Sequence, residues 1–163
     1  MVLQRPDLSR ISENLPGSIS LRLLATQRLK DETNLPGDSV PPVLGTVGSL
    51  KWKGLMTATY SIGPSRTTLT TRYLGKGKIT NQPETSRTGI PAEFNKVDPV
   101  FYFELAQNYD IMIGGREVTV FGVVENLFDR DPEPIPSSGT SFGTGAPYDL
   151  LGRSYRLGFR FRF

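Results

Sequence analysis

The chain has 163 residues, 37% of them hydrophobic, with 17 Gly, 13 Pro and a net charge of +3. It has no Cys and no His, which excludes disulfides, thiolate metal sites, a histidine general base and the Ser-His-Asp triad. The charge is too small to argue for nucleic acid. No run approaches the roughly 18 apolar residues of a membrane helix, a test that half-apolar β-barrel strands escape.

In chain order, residues 1–16 carry Arg5, Asp7, Arg10 and Glu13 without an apolar stretch, unlike a secretory signal. Either the protein is not exported or this chain lacks its true N-terminus, so residues 1–16 are expected to be a remnant or connecting segment. Gly17–Leu29 reads as a first strand. In Leu50–Tyr60, Leu50, Trp52, Met56, Ala58 and Tyr60 alternate with Lys51, Lys53, Leu55, Thr57 and Thr59. In Ser65–Lys76, Leu69 and Tyr73 share one face while Arg66, Thr68, Thr70 and Arg72 share the other. Val100–Ile113 sets Phe101, Phe103, Leu105, Tyr109, Ile111 and Ile113 on one side. Gly115–Leu127 is rich in β-branched residues and partly apolar on both faces. The last segment, Arg153–Phe163, has period two without error. Tyr155, Leu157, Phe159, Phe161 and Phe163 face one way, and Ser154, Arg156, Gly158, Arg160 and Arg162 the other.

Six strands are therefore expected, and their connections alternate in length. Ile62-Gly63-Pro64-Ser65 and Ile113-Gly114-Gly115-Arg116 are tight turns. Lys30–Thr46, Gly77–Val97 and Phe128–Gly152 are long. Outer-membrane barrels alternate in this way, with short turns on the periplasmic side and long loops outside. The last strand of such a barrel runs inward, so a long external loop should precede it, as Phe128–Gly152 does. Eleven residues span about 36 Å extended and about 25 Å tilted, the height of the apolar band of such barrels. Trp52 and Tyr60 lie near opposite ends of one strand, where two aromatic girdles would sit.

Other motifs are weak. Gly139-Thr140-Ser141-Phe142-Gly143 matches G-x-S-x-G, but it lies in a Ser/Gly-rich loop and no histidine exists to activate Ser141. Gly143 and Gly145 begin a dinucleotide-like pattern that Tyr148 interrupts, and Gly75–Lys78 lacks the rest of a phosphate loop. Asp129, Asp131 and Glu133 lack calcium-loop spacing. No catalytic residue, cofactor or metal site is expected, and an enzyme is the least favoured class. Lys51, Lys53, Arg66, Arg72, Arg156, Arg160 and Arg162 would line one surface. They would either draw anionic solutes into a lumen or contact an interior plug or water, the second reading being favoured.

Asn126-Leu127-Phe128-Asp129-Arg130-Asp131-Pro132 resembles the N-L-F-D-x-x-P signature near the end of TonB-dependent receptors. A Gly/Ser-rich loop, Tyr148–Arg153 and a closing strand ending in Phe163 follow it, as in that family. Phe101–Ala106 with Tyr109-Asp110, and Arg72–Gly77, are similar to the strands that precede the signature. The resemblance covers about residues 17–163. It implies an all-β fold, an antiparallel transmembrane β-barrel segment providing six strands of a barrel of about 22, with a plug inside. It also implies active import of a nutrient such as a ferric siderophore, cobalamin, haem or a glycan, energised through TonB. The site residues it implies are an assembly signal at Tyr155, Leu157, Phe159, Phe161 and Phe163, and the family signature at Asn126, Leu127, Phe128, Asp129 and Pro132. The expected location is the bacterial outer membrane. Expected partners are outer-membrane lipid, the barrel assembly machinery, the remaining receptor with its plug and through it TonB, and a small-molecule substrate, with no nucleic acid. No plug or TonB box is recognisable, and six strands fall short of the usual minimum of about eight for a barrel. Residues 17–163 are therefore expected to be a fragment, with two unpaired edges. A passive porin-like barrel and a soluble β-sandwich binding module are the alternatives.

Overall fold

A computed structural model describes residues 16–31, 43–81, 95–131 and 147–161. They form one antiparallel sheet of six strands in the order of the chain. The strands are β1 (Ser18–Gln27), β2 (Trp52–Ile62), β3 (Ser65–Leu74), β4 (Val100–Ile113), β5 (Arg116–Glu125) and β6 (Ser154–Phe161). Each strand pairs with its neighbours in sequence, so the sheet is an open meander with β1 and β6 as its edges. The all-β, six-stranded antiparallel expectation holds to this extent, and the sheet does not close on itself.

Turn chemistry explains the two hairpins. Ile62 pairs with Ser65, leaving Gly63 and Pro64 as the turn. Gly63 has φ +51°, as required at the first central position of a II′-type hairpin. Ile113 pairs with Arg116 across Gly114 and Gly115, whose φ values of +59° and +80° suit a I′ turn. These turns share one end of the sheet. The three long connections share the other, so the alternation of short and long connections in sequence is also an alternation in space.

The observed strands are a residue or two shorter or shifted at several ends, and two of these differences have local reasons. Leu50 does not continue the outward alternation of β2. It is 2% exposed and turns into a small core with Leu74, Val97, Val100, Tyr102 and Tyr148. β5 stops at Glu125 because Asn126 has φ +47°, a left-handed conformation that ends an extended strand.

Candidate functional site

Paired residues of an antiparallel ladder share a face, so the register assigns every strand side chain to one of two surfaces. The first surface carries Leu21, Ala58, Leu69, Leu105, Val124 and Tyr155 in a single row across all six strands. Neighbouring rows add Leu23, Met56 and Phe103, then Tyr109, Val120 and Phe159. This apolar face is open: Leu157 is 86% exposed, Leu23 68% and Phe159 68%. Exposed apolar area on this scale marks a surface that meets lipid or protein.

Aromatic side chains gather toward both ends of this face. Trp52, Tyr73, Phe101 and Tyr155 lie toward the long connections, and Tyr60, Tyr109, Phe159 and Phe161 toward the tight turns. Tyr73 and Phe101 pack at 4.8 Å between ring centroids, and Phe159 and Phe161 meet edge-on at 5.3 Å. A few polar residues interrupt the face near the turns, and they bond one another. Thr67 donates to Gln107 Oε1 at 2.5 Å, and Gln107 Nε2 donates to Ser65 Oγ at 2.8 Å.

The opposite surface is the more polar one, although Leu24, Leu55 and Met112 are exposed on it. The Thr59 and Thr68 hydroxyls are 3.2 Å apart, and Thr119 donates to Asp110 Oδ1 at 2.6 Å. Arg156 reaches Glu125 at 2.6 Å, and Ser154 donates to the same carboxylate at 2.8 Å. The structure places Lys53, Arg66, Arg72, Arg156 and Arg160 on this surface. Lys51 precedes β2, and Arg162 lies outside the described residues.

The run resembling the receptor signature is a hydrogen-bonded turn between β5 and β6. Asn126 is 4% exposed. Its Nδ2 donates to the Arg130 carbonyl at 3.0 Å, and its Oδ1 accepts from the Arg130 N–H at 2.9 Å. The Asp129 N–H closes the turn on the Asn126 carbonyl at 2.8 Å, and Asp129 itself has φ +54°. Asn and Asp tolerate this conformation better than other side chains that bear a Cβ. The Leu127 N–H donates to the Phe103 carbonyl at 2.8 Å, and the Phe128 ring meets Phe103 edge-on at 5.1 Å. Leu127 and Phe128 thus tie the end of β5 to β4, while Asn126 and Asp129 hold the turn itself. Pro132 lies outside the described residues.

Tyr155, Leu157, Phe159 and Phe161 share the apolar face of β6, and Phe163 lies outside the described residues. The same holds for Gly139–Gly143, Gly145 and Glu133. Among the described residues no group of three or more acidic side chains is placed to hold a metal ion.

The sequence reading missed a platform formed where the long connections approach each other. Gly77 and Val97 exchange backbone hydrogen bonds at 2.9 and 3.0 Å. Val47 and Lys78 are joined at 2.9 Å, and Asn95 brackets Thr80 through both side-chain atoms. Beneath them sits the core around Leu50, on the polar side of the sheet. Beside this platform lies a cleft of about 550 Å³. Thr70, Arg72, Tyr102 and Glu104 line it from β3 and β4, Glu125, Asn126 and Ser154 from the β5–β6 side, and Tyr148–Gly152 from the last connection. The Arg72 guanidinium sits 5.0 Å from the centre of the Tyr102 ring, within cation–π range. A cleft with donors, carboxylates and two tyrosines can hold a small polar solute. Its lining comes from separate stretches of the chain, so no motif announced it.

No protein-family model, curated protein or solved structure matches the chain.

Proposed function

We propose that the chain is a wall segment of a bacterial outer-membrane β-barrel, the C-terminal stretch of a TonB-dependent receptor that imports a nutrient such as a ferric siderophore. The observation that carries this reading is the division of one sheet into two surfaces. Six strands present an exposed, largely apolar face, and the same strands present a hydrogen-bonded, more polar face behind it. A soluble sheet covers its apolar face with a second layer. Among the described residues no second layer covers this one. Lipid would cover it, and the aromatics near both ends suit the two interfaces of a bilayer. The receptor assignment rests on the resemblance of Asn126–Pro132 and of the terminal strand. In this reading residues 17–163 supply barrel wall and external connections, the cleft near Arg72 faces the lumen, and the plug and TonB act from the remaining receptor.

Trp52 is the sole tryptophan and lies on the apolar face, which makes it a reporter. The chain is expected to co-float with phosphatidylcholine vesicles and show a β-rich spectrum. Lipids labelled near the headgroup should quench Trp52. A chain that stays monomeric without detergent, with Trp52 unquenched, would replace the membrane reading with the soluble β-sandwich. Import by the whole receptor that persists after loss of TonB would replace active uptake with a passive porin-like barrel.

A further inference from the structure

The two edges of the sheet, with their opposed directions and shared charge, identify what pairs with them. β1 runs from the tight-turn end to the long-connection end, and β6 runs the opposite way. The outer edge of each offers backbone donors and acceptors without a ladder partner among the described residues. In a bilayer such groups must be satisfied by another strand. Because the directions are opposed, β6 of a second copy could lie antiparallel to β1 of the first, and this arrangement must be weighed.

The side chains oppose it. Matching apolar face to apolar face forces even-numbered residues of β1 to lie across from even-numbered residues of β6. In every such register that overlaps most of both strands, Arg22 falls opposite Arg156, Gly158 or Arg160. Opposite Gly158 it is diagonal to both arginines, at about 7–8 Å. Arg156 already holds Glu125 at 2.6 Å. Arg22 and Arg160 have no ion-pair partner among the described residues. Like charges facing each other across a ladder destabilise it. A strand with a carboxylate at that position satisfies the backbone and the arginine together.

We propose that β1 and β6 are docking edges for antiparallel amphipathic strands of different sequence, other parts of the same barrel wall, each bearing a carboxylate on its polar side opposite Arg22 or Arg160. The identity of these strands as barrel wall rests on the membrane reading; the charge rule is a property of the edges alone.

The absence of Cys from the chain makes a disulfide test clean. A Leu157→Cys chain in detergent micelles is mixed with ten-residue alternating Leu/Thr peptides. Each peptide carries one Cys on its apolar side and either two Glu or two Lys on its polar side. The Glu peptide is expected to cross-link several-fold more than the Lys peptide. Arg160→Glu should reverse the preference, and Arg160→Gln should abolish it. A chain carrying both Leu21→Cys and Leu157→Cys should give little cross-linked dimer, and more when Arg22→Glu is added. Equal yields from the two peptides, or a dominant dimer with both arginines intact, would overturn the proposal. Vesicle flotation of the same chains reports the membrane reading separately, because the peptide preference is read in micelles.

Discussion

Asp129 reaches from the turn after β5 to the start of β6, where its Oδ1 accepts the Arg153 backbone N–H at 2.8 Å and its other oxygen lies 3.6 Å from the Arg153 guanidinium. The backbone contact is the stronger part, because both charged side chains are about half exposed and a surface ion pair contributes little. Asp129→Ala therefore removes one acceptor and puts a poorly suited residue at φ +54°. The expected loss is about 1 kcal/mol, read from the denaturant midpoint in detergent. Asp129→Asn keeps the acceptor and tolerates the conformation, so its midpoint should stay close to that of the unaltered chain. Asn126→Ala should cost more, about 1–3 kcal/mol, because a buried side chain with two bonds to Arg130 is lost. Equal midpoints for Asn126→Ala and Asp129→Ala would contradict the ordering.

Gly158 stands on the polar side of β6 across from Phe121, and a Cβ there would lie 2.5 Å from the tip of the Phe121 ring. The ring covers the space that the missing side chain leaves. Gly158→Val must push Phe121 aside and crowd a strand that, among the described residues, is held on one edge only. Amide exchange of β6 should accelerate, with β2 and β3 unchanged. Gly158→Val with Phe121→Ala removes the collision, and β6 protection should partly return. Slow exchange in Gly158→Val alone would show that the ring moves freely.

The six strands were legible in the sequence because period two is a local pattern and both hairpins carry Gly at positions that need positive φ. Gly63, Gly114 and Gly115 mark register and turn together. The platform was not legible, since Leu50, Val97 and Tyr148 meet only after three long connections converge, and nothing within any one of them encodes that meeting. Leu50 misled for the same reason: its place in the alternation points outward, while the chain before Trp52 bends toward Leu74. The signature run could be read as a motif. Its physical content lies in the paired bonds of Asn126 to Arg130 and the reach of Asp129 to Arg153, which depend on two left-handed residues that no periodicity reveals. The cleft was invisible because its lining comes from five separate stretches of chain.

Charge tolerance should differ between the two surfaces of the sheet. Leu157 and Arg156 are adjacent in β6 and point to opposite sides. A cation on the lipid side of a barrel costs about 2–4 kcal/mol at mid-depth and less near the interfaces. Leu157→Lys should therefore reduce the fraction of chain recovered with phosphatidylcholine vesicles. Thr57→Lys, on the polar surface of β2, should leave it near the starting value. Equal losses from the two substitutions would place lipid on both sides or on neither, and the two-surface reading would fail.

The connection between β1 and β2 supplies a pH dependence. The Asp31 carboxyl is held below its ordinary value of 3.8, first by a hydrogen bond from the Ser49 hydroxyl and then by Arg28, whose guanidinium lies 2.6 Å away, with desolvation opposing. A depressed folded value means that the ionised form stabilises this contact. The stabilisation is fully present above the unfolded value and fades as pH falls through the lower folded one. Exchange of the Arg28 amide, which donates to the Lys51 carbonyl at 2.8 Å, reports the contact. Once exchange rates are corrected for intrinsic pH dependence, its protection should stay constant from neutral pH to about 5 and decline below about 4. In Asp31→Asn the protection should be lower at neutral pH and lose this acid-dependent step. A step of unchanged size in Asp31→Asn would assign the titration to another carboxyl.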